Sequence, residues 1–161
     1  MPTGDVFARL SEILQRLSAR YGAPKFPPHV TLLGGCVGPR CELIRKSAQV
    51  AAGIRPFTIR LGEIHCLDEY FRCLFVRAAL TRPLQNANLA ARQAFDSRRE
   101  PEFMPHLSLL YGNFPQCLKE SAIAEIGPRL DVQFKVRTLH LYRTHGAPGQ
   151  WLRVASFGLT I

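Results

Sequence analysis

The chain reads as one α+β domain: a bilobal molecule in which two similar lobes, each a mainly antiparallel sheet flanked by helices, are related by an approximate two-fold axis across a central cleft. Three observations predict this. The order helix, His-bearing strand, helix, strand, strand occurs twice, in repeats spanning about 5–80 and 82–161, within a single domain covering 1–161. Pro28-His29-Val30-Thr31-Leu32-Leu33-Gly34 is echoed by Pro105-His106-Leu107-Ser108-Leu109-Leu110-Tyr111-Gly112, the two histidines lying 106 − 29 = 77 residues apart. That period is too long for a solenoid unit and implies an internal duplication. Finally, hairpin signals dominate and no Gly-rich strand-to-helix phosphate loop occurs, which disfavours a parallel sheet.

The elements follow in order. Asp5 to Tyr21 is an amphipathic helix, with Val6, Leu10, Ile13, Leu14 and Leu17 at helical spacing, Asp5 as its cap and Gly22 past its end. Pro24, Pro27 and Pro28 break the chain before a first His strand, Val30 to Leu33, and Gly34, Gly35, Gly38 and Pro39 form the loop after it. Pro39 to Ala52 is a second helix, with Leu43, Ile44, Val50 and Ala51 inward. Phe57–Leu67 and Tyr70–Ala79 form a hairpin about the acidic turn Asp68-Glu69.

After Thr81-Arg82-Pro83 the series restarts with a helix over Leu84–Phe95 and a charged, proline-bearing approach from Arg98 to Pro105. The second His strand, His106–Tyr111, comes next, then a helix over Pro115–Ile126 ended by Gly127-Pro128. Strands over Val132–Tyr142 and Trp151–Leu159 close the chain around the loop Gly146-Ala147-Pro148-Gly149.

Composition narrows the function. Of 161 residues 47% are hydrophobic, ordinary for a folded domain, and no apolar run approaches the roughly 18 residues of a membrane span. No signal-peptide core stands at the start, so a cytoplasmic protein with no membrane partner is expected. Five cysteines, an odd number without C-x-x-C spacing, indicate neither a disulfide framework nor a zinc site; they read as buried small side chains in a reducing compartment. Lys and Arg outnumber Asp and Glu by 21 to 12, a formal net charge of +9, which favours anionic partners such as nucleotides, phosphorylated metabolites and RNA. The arginines are scattered, apart from Arg98-Arg99, so the charge alone does not choose among these.

The duplicated motif carries the chemistry. Side chains two apart on a strand share a face, so His29 lies with Thr31 and His106 with Ser108. Two such strands brought together present two imidazoles and two hydroxyls to one small anion. Imidazole titrates near neutral pH, so one copy can take a proton from water while the other protonates a departing alkoxide, and hydroxyls can donate to the non-bridging oxygens of a phosphate. The three remaining histidines, His65, His140 and His145, have no hydroxyl residue two places on and are read as structural. No local ligand pair with a third Cys, His or carboxylate supports zinc, so neither a metal nor another cofactor is expected.

The pair H-x-T and H-x-S, each in a Leu-rich stretch, resembles the signature of the two-histidine (2H) phosphoesterase superfamily. Phe103 to Gly112 is most similar to the cyclic phosphodiesterases of plants and fungi, and Tyr70-Phe71-Arg72-Cys73-Leu74-Phe75 resembles their middle strand. The resemblance implies a bilobal fold with a central cleft and an enzyme that hydrolyses cyclic phosphodiesters without metal. Implied substrates are ADP-ribose 1″,2″-cyclic phosphate, which arises from tRNA splicing, and nucleoside 2′,3′-cyclic phosphates opened to 2′-phosphates. It makes His29 and His106 the acid/base pair, in either order, and Thr31 and Ser108 the phosphate clamps. Tyr111, at odd spacing from His106, points away from the site unless the chain bends near Gly112, and is otherwise a packing aromatic. Trp151 matches Phe71 of the other half and is a candidate ring-stacking contact.

Such proteins usually open with a strand before the first helix, whereas Met1-Pro2-Thr3-Gly4 begins at the turn. An N-terminal strand is thus missing: either the start lies upstream or a sheet edge stays open. A monomer is expected, with the open edge as a route to a dimer. Two other functions share these motifs, an RNA-end 2′,3′-cyclic phosphodiesterase and a catalytically silent nucleotide- or RNA-binding module.

Overall fold

The computed structural model describes residues 1–97 and 103–160, so most of the charged approach Arg98–Pro105 lies outside the described residues. Among the described residues four helices and six strands are arranged as α1 (Gly4–Tyr21), α2 (Arg40–Ala52), β1 (Phe57–Cys66), β2 (Leu74–Ala78), α3 (Arg82–Ala94), β3 (His106–Leu110), α4 (Gln116–Ile126), β4 (Arg129–Val136), β5 (Thr138–Arg143) and β6 (Leu152–Gly158). The strands form two antiparallel sheets, one of four strands in the order β3-β2-β1-β4 and one of β5 and β6. The class is α+β. No helix of the described residues is long and apolar enough to cross a membrane.

Helix α1 buries Leu10, Ile13, Leu14 and Leu17 against β3 and β4, each such side chain worth roughly 1.5–3 kcal/mol of transfer free energy. Thr3, not Asp5, occupies its N-cap; Asp5 sits in the first turn, where a carboxylate favours the helix dipole. Gly22 ends the helix in the left-handed region at φ 66°, its N–H donating to the Ser18 carbonyl. The four-stranded sheet buries one face in this core. Strand β4 alternates strictly, Leu130, Val132, Phe134 and Val136 inward and Arg129, Asp131, Gln133 and Lys135 outward. Helices α2 and α3 form a second, smaller core around Val50, Ile54, Ala87 and Ala91, and α2 covers β5 and β6. Leu32, Phe57 and Leu159 touch both cores and join the two halves.

Three elements depart from the periodicity. The first His segment is not a strand: only Val30 pairs, in a single antiparallel bridge to Leu107. Pro27 and Pro28 cannot donate to a ladder, Gly34 and Gly35 follow, and the buried Asn88 side chain takes the Leu32 carbonyl at 2.7 Å in place of a neighbouring strand. The hairpin of β1 and β2 has a longer connection than a two-residue acidic turn, because Tyr70–Arg72 form a 3-10 turn closed by Leu67 N–H to the Arg72 carbonyl at 3.1 Å. Buried Lys119 of α4 pins that connection, donating to the Leu67 carbonyl at 3.0 Å and to the Asp68 carboxylate. The run Val132–Tyr142 is two strands, broken at Arg137, so that β4 pairs with β1 and β5 with β6.

Candidate active site

Strand β3 lies at the edge of the four-stranded sheet. Its Leu107 and Leu109 are fully buried in the core, and alternation turns His106 and Ser108 to the other face, across from Arg77 and Phe75 of β2. The bridge between Val30 and Leu107 then brings the other motif alongside. Because the bridge is antiparallel, stepping one residue either way puts His29 opposite Ser108 and Thr31 opposite His106. The two H-x-[TS] motifs therefore cross, each imidazole beside the hydroxyl residue of the other copy. Thr31 is exposed and Ser108 buried.

Both imidazoles are held in the same way. His29 Nδ1 lies 2.7 Å from the Pro27 carbonyl, and His106 Nδ1 lies 2.9 Å from the Met104 carbonyl. A carbonyl only accepts, so each Nδ1 carries its proton and donates, which leaves each Nε2 as the nitrogen that can exchange a proton with a substrate. In each copy a proline, Pro28 or Pro105, stands between the accepting carbonyl and the histidine. Its fixed φ and the extended backbone it imposes on the preceding residue hold that carbonyl in place.

Burial lowers the pKa of both histidines by desolvating the charged form, and the backbone carbonyls oppose it. His29 is lowered further by the positive charge of the amino terminus and then by that of His106, and His106 by that of Arg72, while Glu69 raises His106. Charging His106 thus makes charging His29 harder.

Tyr111 comes to the site because the strand stops before it. β3 ends at Leu110; Gly112 takes φ 151° and donates its N–H to the Tyr70 carbonyl at 3.0 Å. A Cβ on Gly112 would collide with the Phe114 ring, so the bend requires glycine. The Tyr111 side chain is buried, its hydroxyl interacts with Ser108, and burial pushes its pKa up to about 12. Ser108 Oγ in turn donates to the Phe71 carbonyl at 3.0 Å, so its hydroxyl must rotate off that acceptor to serve a phosphate.

Aromatic rings wall the site. Phe26 stacks on Tyr111 at 3.8 Å between centroids and 18° between planes, and presents its edge to His29 at 6.1 Å. Trp151 precedes β6, packs 6.2 Å from the His29 ring and 6.1 Å from Phe71, and donates Nε1–H to the Gly146 carbonyl at 3.4 Å. His29, His106, Ser108, Tyr111 and Trp151 are thus gathered in one place, and Thr31 joins them through the backbone register. His65 stands one ring away from the site, stacked on Phe75, whose ring meets His106 at 5.2 Å, and His140 is hydrogen-bonded to Ser156 at 2.8 Å.

Sequence reasoning missed Phe26, the Phe71 carbonyl and the charged neighbours Arg72 and Arg77. Phe26 had a signal: Phe26-Pro27-Pro28-His29 and Phe103-Met104-Pro105-His106 share F-x-P-H, so the duplication reaches three residues upstream of each histidine. A backbone acceptor has no such signal.

Comparison with known proteins gives three findings. The family profile described as the 2′-5′ RNA ligase superfamily matches residues 5–148. The cyclic phosphodiesterase of Arabidopsis thaliana is 23% identical over 122 residues, which is 76% of this chain and 67% of that protein. Among solved structures, TT0787 of Thermus thermophilus is similar with a TM-score of 0.62 at 17% identity, covering 96% of this chain and 92% of that one. E. coli LigT complexed with 3′-AMP is similar with a TM-score of 0.60 at 17% identity, covering 96% and 93%.

Proposed function

The chain belongs to the 2′-5′ RNA ligase superfamily, the two-histidine phosphoesterases, and acts on phosphodiesters; from that premise we propose that it hydrolyses cyclic phosphodiesters at the crossed His motifs, without a metal. The observation that carries the proposal is the paired arrangement of His29 and His106, each with Nδ1–H tied to a carbonyl and Nε2 left for proton exchange.

In the proposed reaction the cyclic phosphate sits between the two rings. One imidazole, neutral, accepts a proton at Nε2 from a water molecule as the water oxygen bonds to phosphorus. The other, charged, gives its Nε2 proton to the ribose oxygen as the P–O bond to that oxygen breaks. The net change is the addition of one water, and the protons end with the two imidazoles exchanged in state. The Thr31 hydroxyl, and the Ser108 hydroxyl once turned from Phe71, donate to the non-bridging oxygens, where charge accumulates. The rings of Trp151 and Phe71 offer a wall for a base or ribose, and the nucleotide in the LigT complex accords with a ligand of this class.

The substrates proposed are nucleoside 2′,3′-cyclic phosphates, opened to 2′-phosphates, and ADP-ribose 1″,2″-cyclic phosphate. Hydrolysis of both, measured in EDTA with the position of the product phosphate identified, tests this directly. Turnover that persists in EDTA and yields a 2′-phosphate is expected. His29→Ala and His106→Ala should each lower kcat/KM by roughly 10²–10⁴-fold with an unchanged circular dichroism spectrum. Full activity in either variant, or binding without turnover in the unaltered protein, overturns the proposal, the latter in favour of a silent binding module.

A further inference from the structure

The outer face of the four-stranded sheet does not end at His106. It continues into an open cleft of about 960 Å³, at the upper end of the roughly 300–1,000 Å³ of small-molecule sites and roomier than a mononucleotide requires. Four arginines line it, Arg60, Arg72, Arg77 and Arg129. Arg77 is the cross-strand partner of His106 and shares its face.

Across β2 from Arg77 the ladder shifts register, so that Gly62 and Glu63 of β1 both lie between the Leu61–Ala78 and Ile64–Val76 pairs. Gly62 itself has no side chain, and a Cβ there would lie 3.8 Å from Arg129 Nη2, in ordinary van der Waals contact with that guanidinium; Glu63 follows it on the cleft wall. Strands lie about 4.8 Å apart, so this stretch of β1 is two strands, roughly 10 Å, from His106.

The carboxylates on this face are already engaged. Glu63 and Asp131 hold Arg129 at 3.2 and 3.1 Å, and Glu69 holds Arg72 at 2.6 Å. Among the described residues Arg60 and Arg77 form no ion pair with a carboxylate, so two guanidinium groups flank this stretch of β1 without a described counter-charge.

We propose that this arm of the cleft is a second anion subsite, in which Arg60 and Arg77 bind the internal phosphodiester one nucleoside away from the terminal phosphate held at His29 and His106. A ligand that continues past its terminal phosphate through a charged diester thereby gains a second contact on the sheet face. The placement of the terminal phosphate rests on the catalytic reading above; the second subsite is a separate claim about charge on the sheet face.

The test uses diadenylate carrying a terminal 2′-phosphate, made with either an ordinary internal phosphodiester or a neutral methylphosphonate in its place. Calorimetric Kd values for the two ligands are compared on the same protein, so the ratio is insensitive to the active fraction. The diester should bind about tenfold tighter or more, as charge-assisted hydrogen bonds require. In Arg60→Gln/Arg77→Gln the ratio should fall to near one, while in Lys135→Gln, on the same sheet but outside the cleft, it should stay. A ratio near one in the unaltered protein overturns the subsite. So does a ratio that survives the double substitution, an equal loss in Lys135→Gln, or failure of both ligands to bind. Hydrolysis of 2′,3′-cyclic AMP on the same preparations reports on the catalytic reading alone, so the two claims fail separately.

Discussion

Replacing Phe26 separates packing from positioning. Its ring is only 8% exposed, lies 3.8 Å from Tyr111 and meets His29 by its edge. Truncation to alanine removes a buried aromatic, a loss of about 3–5 kcal/mol. At about 2–4 °C per kcal/mol for a chain of this size, Tm should drop by roughly 6–20 °C. Phe26→Leu keeps most of the apolar volume and gives up the ring stack, worth about 0.5–1.5 kcal/mol, so Tm should drop by only roughly 1–6 °C. If the ring also fixes Tyr111 and His29, the leucine variant should lose on the order of tenfold in kcat/KM on 2′,3′-cyclic AMP well below its Tm. One limb of its pH profile should move as well, because the surroundings of the His29 imidazole change. Thermal unfolding and a pH series on both variants decide the matter. An alanine variant destabilised by less than about 1 kcal/mol would refute the packing argument. A leucine variant with an unaltered kcat/KM and pH profile would refute the positioning argument.

The remaining predictions concern protons and hydrogen bonds. Burial holds both imidazoles below their usual value of about 6.5, and each further pH unit lowers the charged fraction tenfold, so kcat/KM should fall with unit slope above that pH. A profile flat from pH 7 to 9 would contradict it. Arg72→Gln removes a charge that lowers the His106 pKa, so the limb belonging to His106 should move upward alone; which limb moves assigns acid and base, and movement of neither refutes the coupling. For stability the sign is opposite. The unfolded chain takes up protons near pH 6.5 that folded His29 and His106 resist, so their contribution is present above that pH and is lost as pH falls below it. The urea midpoint should be lower at pH 5 than at pH 7.5, and His29→Gln/His106→Gln should flatten the difference. Ser108→Ala leaves the Tyr111 hydroxyl and Phe71 carbonyl without that partner and should cost about 1–3 kcal/mol by urea titration, together with a loss of kcat/KM.

Periodicity carried the helices well, because each buries one stripe and leaves the rest to water. Leu10, Ile13, Leu14 and Leu17 mark their own face, and Gly22 its end. Strand β4 was legible in kind but not in extent. Arg137 sits between the β-branched residues Val136 and Thr138, and nothing local says that residues before it pair with β1 and residues after it with β6. The first His segment misled for the converse reason. Val30 to Leu33 is apolar enough for a strand, yet the prolines ahead of it and the Asn88 amide beside it remove the ladder that would make it one.

The content of the candidate site is written along the chain: two histidines, each two residues from a hydroxyl, each preceded by a proline, in two copies half a chain apart. Those follow from covalent spacing and alternation, which are local. How the copies meet depends on tertiary packing. The single bridge from Val30 to Leu107 crosses the motifs, so that each histidine faces the hydroxyl residue of the other copy. The bend at Gly112 turns Tyr111 back to Ser108, and the register of β2 sets Arg77 beside His106. Strand register and a backbone acceptor depend on partners tens of residues away, and no local pattern of side chains encodes them.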